Sequence, residues 1–93
     1  MFMKQGPIHE LAEVLSHIKD KGLMIQFLEE LFTPAEIGTF SLRWRLVRLL
    51  EEGLPQREIS KQLGISLCKI TRGSRELKKG GSALKEVIRR YTK

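Results

Sequence analysis

Residues 56–77 read QREISKQLGISLCKITRGSREL, and the spacing of apolar residues across them decides the fold. Ile59 and Leu63 fall on one face of a first short helix, with Ser60 small enough to let a second helix cross close by. Gly64 follows, a residue free to take the left-handed backbone that a three-residue turn demands. Ile65 then plugs the angle, Ser66 is placed to cap the next helix, and Ile70 anchors that helix from below. The order apolar, small, two free positions, apolar, Gly, apolar, Ser, three free positions, Ile predicts a helix-turn-helix. Many helical hairpins share parts of this pattern, so a groove-reading unit and a plain cationic hairpin both stay open at this point.

Working outward, the rest of the 93-residue chain also reads as helical, giving an all-α fold of six short helices. PIHELAEVLSHIKD places Ile8, Leu11, Ala12, Leu15 and Ile18 at three- and four-residue steps, and Gly22 is expected to interrupt that helix. LMIQFLEELF stacks Leu23, Met24, Phe27, Leu28, Leu31 and Phe32 on a broad stripe. TPAE is a start signal: Thr33 caps, Pro34 suits the first helical position and Glu36 reaches back. The following helix runs to about Glu52 with Phe40, Leu46, Val47, Leu49 and Leu50 inward, and Gly53 ends it. Gly80 and Gly81 break the chain once more before SALKEVIRRY, with Leu84, Val87, Ile88 and Tyr91 as its stripe. The expected organisation is one domain over 1–93: core helices in 1–54, the helix-turn-helix in 55–79 and a terminal helix in 82–92. Stripes this broad are hard to satisfy inside so small a monomer, so the first two helices are expected to pack against a second copy.

Composition narrows the function. Hydrophobic residues are 41% and charged residues 30%, ordinary for a folded domain. No apolar run approaches the roughly 20 residues of a membrane span, and the start MFMKQGPIHE has no export signal, so a cytoplasmic protein without a membrane partner is expected. Cys68 stands alone, so no internal disulfide or multi-cysteine metal site is expected, and His9 and His17 lie too far apart to pair on a metal. With no nucleophile set beside a base and no Gly-rich phosphate loop, an enzyme is not expected either. Charge is the sharper clue. Residues 1–32 hold three Lys against five acids, 33–54 are balanced, and 55–93 hold eleven Lys or Arg against three Glu. That surplus is the footprint of a phosphate-binding surface, or of a solvated cationic face.

If 56–77 docks on double-stranded DNA, the start of its second helix enters the major groove. Ser66, Leu67, Cys68, Lys69 and Thr71 are then the base-facing candidates, Lys69 for guanine edges and Leu67 or Cys68 for a thymine methyl. Gln56 and Arg57, opening the first helix, are placed to grip a phosphate. The plainer readings are a solvated lysine at Lys69 and a small filler at Cys68.

ITRGS followed by LK, with QREI, LG, LFTPAE and RWRLV upstream, resembles the Trp repressor family of bacterial operon regulators over about positions 27 to 79. The resemblance implies an intertwined homodimer that binds operator DNA, takes L-tryptophan as corepressor and controls tryptophan-synthesis genes. It also implies a ligand site. Arg43 and Arg72 take the positions of two arginines that sandwich the indole ring, and one of them also holds the carboxylate. Thr33 matches a threonine that helps bind the carboxylate. Glu30 and Phe32 match the backbone carbonyls that receive the ammonium group, and Gly73 falls where the ligand nears the backbone. Guanidinium suits such a role, being planar, permanently charged and able to stack and to grip carboxylate. Each residue has a local alternative: Thr33 as a helix cap, Gly73 as a close helix contact, Arg43 as a surface ion-pairing residue, Trp44 as packing. The chain departs from the family pattern at Glu76, where relatives carry a serine near the ammonium, and at Pro55, where many cap the first reading helix. Glu76 keeps open a ligand-independent helix-turn-helix regulator.

Overall fold

The computed structural model describes residues 6–92, so the expectation about the opening MFMKQ lies outside them. Six α-helices and no strand make up the described residues: α1 Pro7–His17, α2 Lys21–Leu31, α3 Pro34–Glu51, α4 Gln56–Leu63, α5 Leu67–Lys78 and α6 Ala83–Tyr91. The chain divides into two compact units, one ending at Ile37 and one beginning at Gly38.

In the first unit, α1 starts on Pro7 and stops at Ile18, whose extended backbone leaves it outside the helix. The break falls earlier than Gly22, and the reason is local. Asp20 caps α2, its carboxylate accepting from the main-chain N–H of Gly22 at 2.9 Å and of Leu23 at 3.4 Å. Gly22 therefore lies inside the first turn of α2 instead of ending α1. Neither helix buries a residue fully, and Ile8, Leu23, Ile25 and Leu31 stay exposed on them. The next start signal forms in both halves. Glu36 N–H donates to Thr33 Oγ1 at 3.1 Å and Thr33 N–H donates to Glu36 Oε1 at 2.8 Å.

The second unit is built on the rest of α3. Leu46 and Val47, adjacent on that helix, point into two different clusters. Leu46 joins Ile59 of α4 and Ile70 of α5, with Leu49, Leu54, Leu63 and Ile65 packed around them. Val47 joins Leu77 of α5 and Ile88 of α6, with Leu84 against it, and Leu50 touches both groups. The end of α3 is fixed by a left-handed Gly53, where Gly53 N–H bonds Leu50 C=O at 3.0 Å and Leu54 N–H bonds Leu49 C=O at 3.2 Å. This paired closure folds Leu54 back onto the same core as Leu49.

The helix-turn-helix forms as its residues predict. Gly64 is left-handed at φ 65°, and Ser66 caps α5 by accepting from Lys69 N–H. Ile59 and Ile70 are fully buried. Ser60 does more than stay small: its hydroxyl donates to Ile65 C=O at 2.7 Å and pins the turn. Across the unit, Arg89 of α6 pairs with Glu51 of α3 at 2.9 Å. Phe40 is a correction. Expected inward, it is 42% exposed, and Trp44, expected to pack, is 37% exposed. The two sit four apart on α3, and neither is among the residues packed into the two clusters.

Shortening the most enclosed anchor tests this core. Ile70→Val is expected to cost about 0.5–1.5 kcal/mol and Ile70→Ala about 2–5 kcal/mol in urea unfolding. Equal costs for the two would mean that Ile70 does not join α3 to α4.

Candidate functional site

The sequence puts two chemical stripes face to face. On α3, Thr39, Leu42, Arg43, Leu46 and Val47 recur at three- and four-residue steps and so share one side. On α5, Lys69, Arg72, Gly73 and Glu76 do the same. Between them opens a cleft of about 300 Å³, also walled by Ile65 of the turn and Leu84 of α6. That volume is at the low end for small-molecule sites, enough for a ligand of single-residue size. Its floor is aliphatic and its rim is charged: Arg43, Lys69 and Arg72 against Glu76. Such a lining suits an apolar body carrying an anionic group.

The close approach of α5 to α3 depends on Gly73. A Cβ there would lie 3.3 Å from Leu50 Cδ1 and 3.4 Å from Leu46 Cδ2. Glycine costs about 1 kcal/mol in a helix interior relative to alanine, and the proximity of the two leucines accounts for it here. Glu76, half-buried, pairs with Lys79 Nζ at 3.0 Å one turn on. It is the cleft's acid and is already engaged.

Of the residues the sequence singles out for a ligand, the structure brings together Arg43, Arg72, Gly73 and Glu76. Glu30, Phe32 and Thr33 belong to the first unit, at the end of α2 and the start of α3. There the Glu30 carboxylate accepts from Gln26 Nε2 at 3.1 Å, and the Thr33 hydroxyl is the helix cap described above. Lys69, singled out for reading bases, shares the cleft stripe with Arg72. Sequence reasoning missed Thr39, Leu42, Ile65 and Leu84 as cleft walls. The helical period counted out from Arg43 would have given Thr39.

The other candidate surface is the opening turn of α5 with the start of α4. Leu67, Cys68, Lys69 and Thr71 are exposed there, as is Arg57. Thr71 Oγ1 donates to Leu67 C=O at 2.9 Å and lies 3.4 Å from Gln56 Oε1, so Gln56 of α4 and Thr71 of α5 sit side by side. Among the described residues no group of three His, Cys, Asp or Glu is placed to hold a metal ion, and no helix is long and apolar enough to cross a membrane.

Comparison with known proteins gives one consistent answer. The family described as Trp repressor protein matches residues 7–92. A Trp operon repressor homolog of Pasteurella multocida (strain Pm70) is 38% identical over 71 residues, which cover 75% of this chain and 70% of that protein. The homolog of Actinobacillus succinogenes is 42% identical over 67 residues, 71% of this chain and 66% of that one. The homolog of Mannheimia succiniciproducens is 40% identical over 84 residues, 89% and 83% of the two chains. No solved structure gives a significant match.

The cleft geometry carries its own test. Gly73→Val would drive methyl groups into Leu46 and Leu50 and is expected to destabilise the fold by about 1–3 kcal/mol in chemical denaturation. A variant as stable as the parent would show that α5 is not held against α3 at this point.

Proposed function

The chain belongs to the Trp repressor family, and on that premise we propose that it is a homodimeric, sequence-specific DNA-binding repressor with L-tryptophan as corepressor, acting on tryptophan-synthesis genes. The observation that carries this reading is that α5 serves two surfaces at once. Its first turn is exposed for a DNA groove, and its 69–76 stripe forms one wall of the cleft.

In this reading Arg43 and Arg72 face the indole from opposite walls and an arginine holds the carboxylate. Gly73 lets the ligand near the backbone, and Glu76 supplies a negative charge for the ammonium. Thr33 helps bind the carboxylate, and the main-chain carbonyls of Glu30 and Phe32, supplied by the partner subunit, receive the ammonium group. Residues 1–54 serve as the dimerisation core, 55–79 as the reading head and 82–92 as the closing helix. Dimerisation accounts for the apolar surface that one chain leaves open: Ile8, Leu23, Ile25 and Leu31 on α1 and α2, and Phe40 and Trp44 on α3. Ser66, Leu67, Cys68, Lys69 and Thr71 read base edges, while Gln56 and Arg57 hold phosphate.

Two such heads must enter successive major grooves about 34 Å apart. A ligand wedged between α3 and α5 selects the head orientation that matches this spacing. Its effect cannot exceed its preference for that state, about 1–3 kcal/mol in typical coupled sites.

A second reading, a regulator that binds DNA without a small molecule, is favoured by one observation. Glu76 sits in the cleft with Lys79 already as its partner.

A gel-shift on a palindromic duplex selected from a random pool, with and without L-tryptophan, separates the two. Tryptophan is expected to tighten binding, and a tryptophan-independent shift supports the second reading. Arg72→Ala is expected to remove the tryptophan response with the fold intact; unchanged ligand affinity in calorimetry would sink the pocket assignment. Lys69→Ala should relax base preference, whereas Arg57→Ala should weaken binding to all sequences alike.

A further inference from the structure

Beyond the cleft and the reading turn, cationic side chains converge at a third place, the junction of α5 and α6. Lys78 and Lys79 end one helix, Lys85, Arg89 and Arg90 lie on the next, and together they border a shallow, open hollow. Three of the five are balanced: Lys79 by Glu76 at 3.0 Å, Arg89 by Glu51 at 2.9 Å and Arg90 by Glu86 at 3.0 Å. Lys78 and Lys85 have no ion-pair partner among the described residues. The remaining lining is Gly80, Gly81, Ser82 and the already paired Glu86. Gly81 is left-handed at φ 73°, which explains one glycine. Gly80 is not left-handed, and a Cβ on it would meet nothing within 4 Å. The main chain at Gly80 is therefore open to solvent.

We propose that this hollow is a second phosphate-binding surface, gripping the backbone of duplex DNA beyond the groove that the start of α5 reads. The proposal rests on the DNA-binding reading above and adds a contact made by different residues. Two magnitudes direct it. Lys78 lies eleven residues after Leu67 on one helix, hence about 17 Å along its axis at 1.5 Å per residue. The major groove is about 12 Å wide, so a phosphate held there is not one that the start of α5 also reaches. The lining also decides the chemistry. A docking site for protein carries an apolar core, and a membrane-binding surface inserts apolar side chains. This hollow presents only cations, glycine, serine and one paired carboxylate. That matches a polymer of phosphates, whose charge recurs about every 1.7 Å of duplex axis.

The electrostatic term is independent of sequence, so the test needs no operator. Binding of the full chain to a labelled duplex of arbitrary sequence is followed by fluorescence anisotropy between about 50 and 200 mM salt. The double variant Lys78→Gln, Lys85→Gln is expected to lower the slope of log K against log salt by about 1.8 per protomer on the duplex, hence about 3.6 for a bound dimer, at about 0.9 per lost phosphate contact. Lys78→Arg with Lys85→Arg is expected to keep the parental slope, and all three proteins should melt alike. A glutamine variant with the parental slope would overturn the proposal. So would a variant that loses affinity for anionic vesicles or an acidic peptide while keeping it for duplex. A parent chain that binds no duplex at any salt would instead remove the DNA reading itself, and the parental curve alone shows which has failed.

Discussion

The contact between α5 and α3 at Gly73 is the constraint on which the rest of the second unit depends. Ile70 and Leu77, one on each side of that glycine, drop into separate clusters built on Leu46 and Val47. Because the missing side chain lets the helices close to van der Waals distance, both anchors seat at once. With α5 pinned at two points seven residues apart, the direction of every other side chain on it follows. Positions 69, 72 and 76 must then line the cleft beside α3, while 67, 68 and 71 must face solvent at the helix start.

Much of this was legible in the sequence, because the signals are local. Gly64, Ser66, Ile59 and Ile70 form the turn with the geometry their chemistry dictates. Thr33 and Glu36 close both halves of their cap, and Gly53 ends α3. The misplacements have physical causes. Gly22 seemed a break because glycine often is one, but a carboxylate two residues earlier outcompetes it as a start signal. Phe40 and Trp44 seemed internal because hydrophobicity says that a residue should be covered, not by what. The cleft itself was legible only as isolated arginines. Arg43 and Arg72 are twenty-nine positions apart, and no periodicity within one helix reveals which stripe of another it faces. The walls Ile65 and Leu84, and the hollow shared with α6, need tertiary placement for the same reason.

Charge is distributed along α5 in a way that composition cannot show. The eleven cations of 55–93 do not form one coat. Some line the cleft and some border the hollow, and several are consumed by Glu51, Glu76 and Glu86. Exposed pairs of this kind contribute little stability, typically under about 1 kcal/mol each. Their greater effect is to set which cations remain uncompensated, and so where an anion is attracted.

Glu76 stands where these regions meet. It lines the cleft, yet its partner Lys79 borders the hollow, so one ion pair joins the two. An ammonium group entering the cleft would compete with Lys79 for the same carboxylate. The exchange is weakly opposed, since both partners are substantially exposed, Lys79 by 63% and Glu76 by 42%. Within the proposed function, an amino-acid ligand would therefore act on the reading head in two ways. By filling the space between α3 and α5 it fixes the pose of a helix that two small clusters hold. By taking up the Glu76 charge it leaves Lys79 less compensated on the flank where phosphate is proposed to bind. The first effect is geometric and insensitive to salt, whereas the second is Coulombic and fades as salt screens it. A serine at this position would support only the first.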